Sequence, residues 1–243
     1  MESRTLVFGD IHGCYLAADA AVKLAKKEKA KAIFLGDYVD RGPDSIKTLE
    51  ILIEAKRKNP EWIFLRGNHD QMLLDLIMGI QEPNIEFDVY AGRTSNIETS
   101  RVFEKWKYLS ASRKNEITKF LENTIFFHET NDWIFVHAPL KNSDIPIYEK
   151  SKEELLWNYD LNPVWEGKQF VHGHATTEKL VLRDKNGLNI NTSCGYGGVL
   201  TGLLIKKEQL SSTLTTRCDL ICFAISESGT IEKQYDVETY YRK

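Results

Sequence analysis

Short apolar runs and polar turns alternate along the first 174 residues of the chain. The runs are rich in aromatic and β-branched residues, which predicts buried strands. Between the first three runs, apolar residues recur at helical spacing and predict helices at about 15–29, 43–58 and 71–78. This order of strands and helices predicts a mostly parallel sheet. The runs cover residues 6–8, 32–35, 62–65, 133–136 and 170–171.

The pattern changes after residue 79 and again after residue 180. Residues 79–123 read as a polar loop and two helices, at about 98–108 and 112–122, which predicts a helical, cap-like insertion beside the site. We therefore expect one α/β domain spanning residues 1–243, an α+β sandwich of two mixed sheets packed face to face with flanking helices. Its antiparallel half would come from predicted strands at 188–191, 199–205, 219–225 and 231–237.

Composition limits the classes of partner and location. Hydrophobic residues make up 42% and charged residues 28% of the 243 residues, as in ordinary globular proteins. The net charge of −3 offers no basic surface for nucleic acid. No apolar stretch approaches the ~20 residues of a membrane helix, and the first residues do not resemble a signal peptide. We expect a cytoplasmic protein that binds neither nucleic acid nor membranes.

Each of the five apolar runs ends at a polar segment. Because the carboxyl ends of such strands meet at one edge of a sheet, their side chains are expected to form a cluster. Five of the six histidines lie in or beside these segments, which histidines used only for packing would not do. The segments are GDIHG (9–13), GDYVDRG (36–42), GNHD (67–70), VHA (136–138) and GH (173–174).

The residue types in this cluster suit a two-metal site that cleaves phosphoesters. Two cations held roughly 3.5–4 Å apart would clamp the attacking and leaving oxygens, and a carboxylate would bridge them. A mixture of oxygen and imidazole ligands favours Mn²⁺, Fe or Zn²⁺ over Mg²⁺ or Ca²⁺ alone, and we favour Mn²⁺. The predicted ligands are Asp10 and His12 for the first metal, Asp37 as the bridge, and Asn68, His137 and His174 for the second.

Four further residues are predicted to act on the substrate. His69 follows Asn68 directly, so it would lie near the metals as the general acid that protonates the leaving oxygen. Asp40 could bind the other ring nitrogen of His69 and keep the imidazole charged and aimed. Arg41 and Arg66 flank two ligand turns and could grip phosphate oxygens through their planar guanidinium groups.

These motifs resemble the phosphoprotein phosphatase family of calcineurin-like metallophosphoesterases. Within it, the chain looks most like the bacterial and phage-type serine/threonine phosphatases, and it shares features with symmetrical diadenosine tetraphosphatases. The resemblance implies the calcineurin-like fold, with the metal site at the strand ends and the ligand roles given above. It also implies direct attack on phosphorus by a metal-bridging hydroxide, without a phosphoenzyme.

Three positions leave the substrate open. Asp40 before Arg41 resembles the protein phosphatases, whereas Asp70 resembles the diadenosine tetraphosphatases, and Tyr159 stands where phage-type enzymes carry an arginine. We predict a dimetal hydrolase acting on phosphoserine and phosphothreonine in proteins or peptides, or on small phosphoesters. The alternatives are a dinucleoside polyphosphate hydrolase and, third, a phosphate-binding module that has lost catalysis.

Overall fold

The strands form two sheets in the computed structural model, which describes residues 3–81, 95–141, 144–160, 165–179, 181–184, 187–209 and 216–242. The first sheet has the order β11-β10-β9-β1-β2-β3, and the second has the order β4-β5-β6-β8-β7. Their bounds are β1 (Ser3–Phe8), β2 (Lys31–Phe34), β3 (Ile63–Phe64), β4 (Phe127–Glu129), β5 (Trp133–Val136), β6 (Gln169–His172), β7 (Leu182–Asp184), β8 (Gly187–Asn189), β9 (Val199–Gln209), β10 (Thr216–Ser226) and β11 (Ile231–Arg242).

Both sheets are mixed, as the sequence predicted. In the first, β1, β2 and β3 are parallel, and β9 joins β1 in the antiparallel direction, followed by β10 and β11. In the second, β5, β6 and β8 are parallel, and the short strands β4 and β7 are antiparallel to their neighbours. Parallel strands share the direction of their carboxyl ends, so each sheet delivers several turns to one edge.

The central strands are buried on both faces, which explains their continuous apolar sequences. Along β1, Val7 lies between the two sheets while Phe8 packs toward the helices on the outer face. Along β5, Phe135 lies between the sheets while Ile134 packs on the far face of the second sheet. The alternation follows from the two-residue period of a strand.

The helices flank the sheets and include both helices predicted in the insertion. Val102, Ile117 and Leu121, from the fourth and fifth helices, belong to the same hydrophobic cluster as the first three helices. The loop predicted before them falls mostly on residues 82–94, outside the described residues. The bounds are α1 (Tyr15–Lys27), α2 (Ser45–Lys58), α3 (Asn68–Ile77), α4 (Ser95–Lys107), α5 (Ala111–Glu122) and α6 (Lys152–Trp157).

The structure differs from the sequence-based assignment of helices and strands, and two of the differences lie close to the site or at sheet edges. The helix predicted from residue 71 begins at Asn68, so Asn68 and His69 lie in the first turn of α3. The strands β4 and β7 were not predicted, because each has only three residues and lies at an edge of its sheet. Among the described residues, none of the helices is long and apolar enough to cross a membrane.

Candidate metal centre

The six predicted metal ligands lie together at the carboxyl ends of β1, β2, β3, β5 and β6. Each follows its strand within a few residues, and all six are at most 6% exposed. The two sheets meet at this edge, so the first sheet and the second sheet each contribute ligands. The residues brought together are Asp10, His12, Asp37, Asn68, His137 and His174.

Asp37 lies at the centre of the cluster. Its Oδ2 atom is 3.5 Å from His12 Nε2 and 3.5 Å from His137 Nε2. Two groups of ligand atoms, each within 4.8 Å of one another, share this carboxylate: one includes His12 and His69, and the other includes His137 and His174. A carboxylate common to two ligand groups is the arrangement that a bridge between two cations requires.

The imidazoles are oriented as metal ligands. The Nδ1 atoms of His12 and His137 lie 3.0 Å from the carbonyl oxygens of Val39 and Leu35, respectively. A carbonyl oxygen can only accept, so each Nδ1 carries the proton and each Nε2 presents its lone pair toward Asp37. Burial, with the nearby charge of Arg41, holds the pKa of His12 well below its usual value, which keeps this imidazole neutral.

Several acceptor atoms face one another across the second group. Asn68 Oδ1 lies 3.0 Å from His137 Nε2 and 3.0 Å from His174 Nδ1. His174 Nε2 has no hydrogen-bond partner among the described residues. Burial lowers the pKa of His174 to about 2, so it too is neutral. The lone pair of His137 Nε2 faces the oxygen Asn68 Oδ1, and two facing acceptors repel each other unless a cation lies between them. This pair of ligand atoms therefore fits a divalent metal ion.

Asp10 completes the cluster from the β1 turn. Its Oδ2 atom lies 3.9 Å from His12 Nε2 and accepts a hydrogen bond of 2.7 Å from Asn191 Nδ2. Burial and the charge of Asp37 raise the pKa of Asp10 well above its usual value, and a bound cation would favour its ionised form. Asn191 was not predicted as functional, although it follows the parallel strand β8 at the same edge.

The turns that carry the ligands are pressed against one another. A Cβ atom on Gly67 would lie 2.1 Å from Asp37 Oδ1, and one on Gly173 would lie 2.0 Å from Asp10 Oδ1. This is why glycine precedes Asn68 and His174. Backbone strain is also concentrated here, at roughly 1–3 kcal/mol for each non-glycine residue with positive φ. The residues at the site with positive φ are His12, Asp37, Asp40, Arg41 and His174.

His69 is held between an acidic partner and the cluster. Its Nδ1 atom lies 2.5 Å from Asp40 Oδ2, and Thr99 Oγ1 of α4 donates to the same oxygen. Burial lowers the pKa of His69, but the charges of Asp37 and Asp40 outweigh it and the pKa is raised. An imidazole kept protonated in this way suits a general acid. No local signal in the sequence indicated Thr99.

Of the two arginines predicted to bind phosphate, Arg41 lies beside the cluster. One guanidinium nitrogen of Arg41 contacts His12 Nε2, and the other lies 3.2 Å from His69 Nε2. Its guanidinium carbon is 4.4 Å from the centre of the Tyr196 ring. The group is therefore placed where a phosphate bound to the cluster would meet it.

The other arginine, Arg66, requires a correction to the prediction. Its guanidinium donates to Thr124 Oγ1, to the carbonyl oxygen of Leu121, and to Gln71 Oε1 at 2.7 Å. These bonds tie the carboxyl end of α5 to the turn after β3, and the residue is only 4% exposed. Proximity in sequence to Asn68 suggested phosphate binding, but the guanidinium is used by Thr124, Leu121 and Gln71.

Asp70 also has a structural role that its sequence motif did not indicate. Its carboxylate accepts hydrogen bonds from the backbone N–H groups of Asp37 at 2.7 Å, Tyr38 at 2.9 Å and Gly67 at 2.9 Å. Burial and the charge of Asp37 raise its pKa to about 7. Asp70 thus fixes the turn that presents Asp37.

Two exposed tyrosines border the cluster, each beside a different imidazole. The ring centre of Tyr159 lies 3.9 Å from that of His174, and that of Tyr196 lies 6.5 Å from that of His12. The two residues are 58% and 57% exposed, respectively. The site therefore has aromatic surfaces beside the ligands of both metal groups.

Comparisons with known proteins identify the family of the chain. The profile of the calcineurin-like phosphoesterase family matches residues 3–200. A bis(5'-nucleosyl)-tetraphosphatase PrpE (asymmetrical) from Bacillus velezensis is 24% identical over 241 residues, covering 85% of this chain and 90% of that protein. The protein of the same name from a Geobacillus species is 26% identical over 230 residues, covering 80% and 87%.

Solved structures share the fold. One described as a candidate diadenosine tetraphosphatase has a TM-score of 0.61 and 18% identity, covering 83% of this chain and 89% of its own. A protein serine/threonine phosphatase from Saccharomyces cerevisiae has a TM-score of 0.56 and 18% identity, covering 83% and 72%. At this identity the likeness concerns the fold alone.

Proposed function

The chain belongs to the calcineurin-like phosphoesterase family and is a metal-dependent phosphoester hydrolase, and we propose that its substrates are dinucleoside polyphosphates. The observation that carries the proposal is the pair of exposed tyrosine rings, Tyr159 and Tyr196, beside the metal ligands. Two relatives that match this chain over most of their lengths also support the proposal, because both are named as asymmetrical bis(5'-nucleosyl)-tetraphosphatases. Asymmetrical cleavage of diadenosine tetraphosphate adds water and yields ATP and AMP.

We assign two divalent cations to the cluster and favour Mn²⁺. Two such cations polarise the phosphoryl oxygens and make bound water nucleophilic at neutral pH. Asp37 would bridge them, because its carboxylate is common to both ligand groups. We assign Asp10 and His12 to one cation, and Asn68, His137 and His174 to the other.

The remaining residues of the site act on the substrate directly. Arg41 binds phosphate oxygens through its planar guanidinium, which matches their spacing. His69 donates the proton on Nε2 to the leaving oxygen while Asp40 holds its Nδ1. Because His69 and Asp40 are almost completely buried, the hydrogen bond between them is shielded from competing water.

The two tyrosines provide surfaces for the nucleobases. Stacking of a base on an aromatic ring contributes about 1–3 kcal/mol in single-strand binding and tolerates different bases. Tyr159 lies beside one group of ligands and Tyr196 beside the other, so a substrate with a base at each end can use both. A phosphomonoester without a base gains nothing from them.

Phosphoserine and phosphothreonine, which the sequence placed first, are the second candidate. The His69–Asp40 pair favours them, because a departing alkoxide needs a proton far more than a departing nucleotide phosphate does. Asp70 no longer bears on this choice, since its carboxylate is used to hold the Asp37 turn.

The decisive experiment compares the two substrates on one preparation of Mn²⁺-loaded protein. We expect kcat/KM to be higher for diadenosine tetraphosphate than for a phosphoserine or phosphothreonine peptide, with ATP and AMP as products. A higher value for the peptide would overturn the proposal in favour of the second candidate. If the products are two molecules of ADP, the substrate is as proposed but the cleavage is symmetrical, which contradicts asymmetrical cleavage. Retained metal without turnover of either substrate would support the binding-module alternative.

A matched pair of variants tests the role of the rings. Tyr196→Ala should raise KM for diadenosine tetraphosphate by roughly tenfold and leave KM for free phosphoserine, which has no aromatic ring, nearly unchanged. Tyr196→Phe keeps the ring and should keep the low KM. Equal effects of Tyr196→Ala on both substrates would contradict base stacking.

A further inference from the structure

A polar cavity of about 150 Å³ lies between the 40–45 turn and α4, next to the metal cluster. This volume is roughly ten times what a single water molecule requires, so a small anionic group fits inside. Its charged and hydroxyl-bearing side chains are Asp40, Arg41, Ser45, Glu98, Arg101 and Lys105.

The cavity is connected to the reacting centre through Arg41. The guanidinium of Arg41 contacts the Nε2 atoms of His12 and His69, and the same side chain lines the cavity. Asp40 is shared in the same way, since its carboxylate holds His69 and also lines the cavity. A group bound in the cavity is therefore the immediate neighbour of a phosphate bound at the metals.

Cations dominate the lining. Arg41, Arg101 and Lys105 face two carboxylates, and one of these, Asp40, already accepts hydrogen bonds from His69 and Thr99. Burial and the charge of Asp40 raise the pKa of the other carboxylate, Glu98, and the charges of Arg41 and Arg101 oppose this shift.

Arg101 and Lys105 lie four residues apart on α4, so they project from the same face of the helix. Neither forms an ion pair with a carboxylate among the described residues of the chain. Both are exposed, which leaves their donors available to a ligand. A helix face with two unpaired cations, opening onto a third at the reaction centre, is suited to a chain of phosphates.

We propose that this cavity is a phosphate-chain subsite, in which Arg101 and Lys105 bind the phosphates of the substrate that lie beyond the one attacked at the metals. The proposal rests on the proposed function and adds to it the residues that select a polyphosphate over a phosphomonoester. Because α4 belongs to the predicted insertion, selection is carried by a different part of the chain from the reaction itself.

The test uses the full-length Mn²⁺-loaded protein and the double variant Arg101→Gln/Lys105→Gln. For diadenosine tetraphosphate, kcat/KM should fall by about tenfold or more, because charge-assisted hydrogen bonds to phosphate are lost. For para-nitrophenyl phosphate, which has one phosphate, kcat/KM should stay within about twofold, as expected for contacts that substrate does not make. The matched control is Lys107→Gln on the same helix, since Lys107 does not line the cavity and instead pairs with Glu104 at 2.6 Å.

A second measurement separates the subsite from the identity of the substrate. Inorganic tripolyphosphate and orthophosphate are compared as inhibitors of para-nitrophenyl phosphate hydrolysis at constant free Mn²⁺. The double variant should weaken inhibition by tripolyphosphate by about tenfold and leave inhibition by orthophosphate unchanged. If diadenosine tetraphosphate is not hydrolysed but this difference appears, the proposed function fails and the subsite stands. Equal inhibition of wild type and variant by tripolyphosphate would overturn the subsite.

Discussion

The strand-end turns and helix α4 both border the site, but they are built differently. The turns after the strands carry buried ligands, positive backbone φ angles and glycines that admit neighbouring carboxylates at close range. Helix α4 contributes the buried hydroxyl of Thr99 to the site, while Arg101 and Lys105 are exposed. The turns are fixed by the packing of two sheets, whereas the outer face of α4 has few packing constraints.

This difference assigns the chemical reaction to the strand-end turns and the choice of substrate to helix α4. Changes to the metal ligands in the turns should affect every substrate, because they alter the metals, whereas changes to His69 should affect substrates according to their leaving group. Changes on α4 should affect substrates according to their leaving group or their number of phosphates. The predictions below test that separation, beginning with the largest effect.

Asp37→Asn should abolish the pairing of the two metals and reduce kcat/KM by roughly 10⁴-fold or more for every substrate. Each cation contributes several kcal/mol to the transition state, and about 1.4 kcal/mol corresponds to a factor of ten. Metal content measured by plasma emission should fall together with activity. The surface variant Asp19→Asn is the control, because Asp19 only pairs with Lys23. Full activity of Asp37→Asn would refute the bridging role.

His69→Asn should retain metal and lose rate according to the leaving group. With a phosphoserine peptide, kcat should fall by on the order of 10²–10³-fold, since the alkoxide must be protonated. With para-nitrophenyl phosphate the loss should be much smaller, because an activated aryl oxygen leaves without a proton. Equal losses for the two substrates would contradict the assignment of His69 as general acid.

Asn191→Ala should weaken metal binding by roughly 10–100-fold, as is typical when a hydrogen bond to a metal ligand is removed. The variant removes the 2.7 Å bond to Asp10 Oδ2 without touching α4. The Mn²⁺ concentration that gives half-maximal activity should therefore rise, and activity should recover at saturating Mn²⁺. Asn123→Ala, at the exposed end of α5, serves as control. A lower plateau with an unchanged metal requirement would contradict this role.

Thr99→Val should lower kcat by several-fold up to about tenfold, since one charge-assisted hydrogen bond to Asp40 is lost. The loss should be greater for poor leaving groups, because Thr99 acts through the Asp40–His69 pair. Thr99→Ser keeps the hydroxyl and should restore most of the rate. If Thr99→Val lowers kcat equally for all substrates and Thr99→Ser does not restore kcat, the hydroxyl does not position the Asp40–His69 pair.

Much of the fold followed from the sequence because its elements have strong local signals. The five apolar runs at 6–8, 32–35, 62–65, 133–136 and 170–171 correspond to β1, β2, β3, β5 and β6. Their two-faced burial makes the runs continuous, which is the clearest signal a strand can give. The edge strands β4 and β7 were missed, since three residues carry too little pattern.

The predicted start of α3, at residue 71, was wrong because the first turn of this helix also carries little local pattern. Asn68 and His69 were assigned to a loop because ligand residues usually follow strands in turns. In the structure they form the first turn of the helix, where the N–H group of His69 donates to Asp37 Oδ1 at 3.0 Å. The first turn of this helix consists of polar residues of the site, so the apolar spacing that predicts a helix begins only after it.

The sequence by itself determined the chemistry, because the ligand types and the strands that deliver them are adjacent along the chain. Only the tertiary structure decided which nearby polar residues take part. Arg66, two residues before the ligand Asn68, donates to Thr124, whereas Thr99, far from every motif, donates to Asp40. Side-chain direction depends on packing between elements distant in sequence, and no local pattern of residues encodes it.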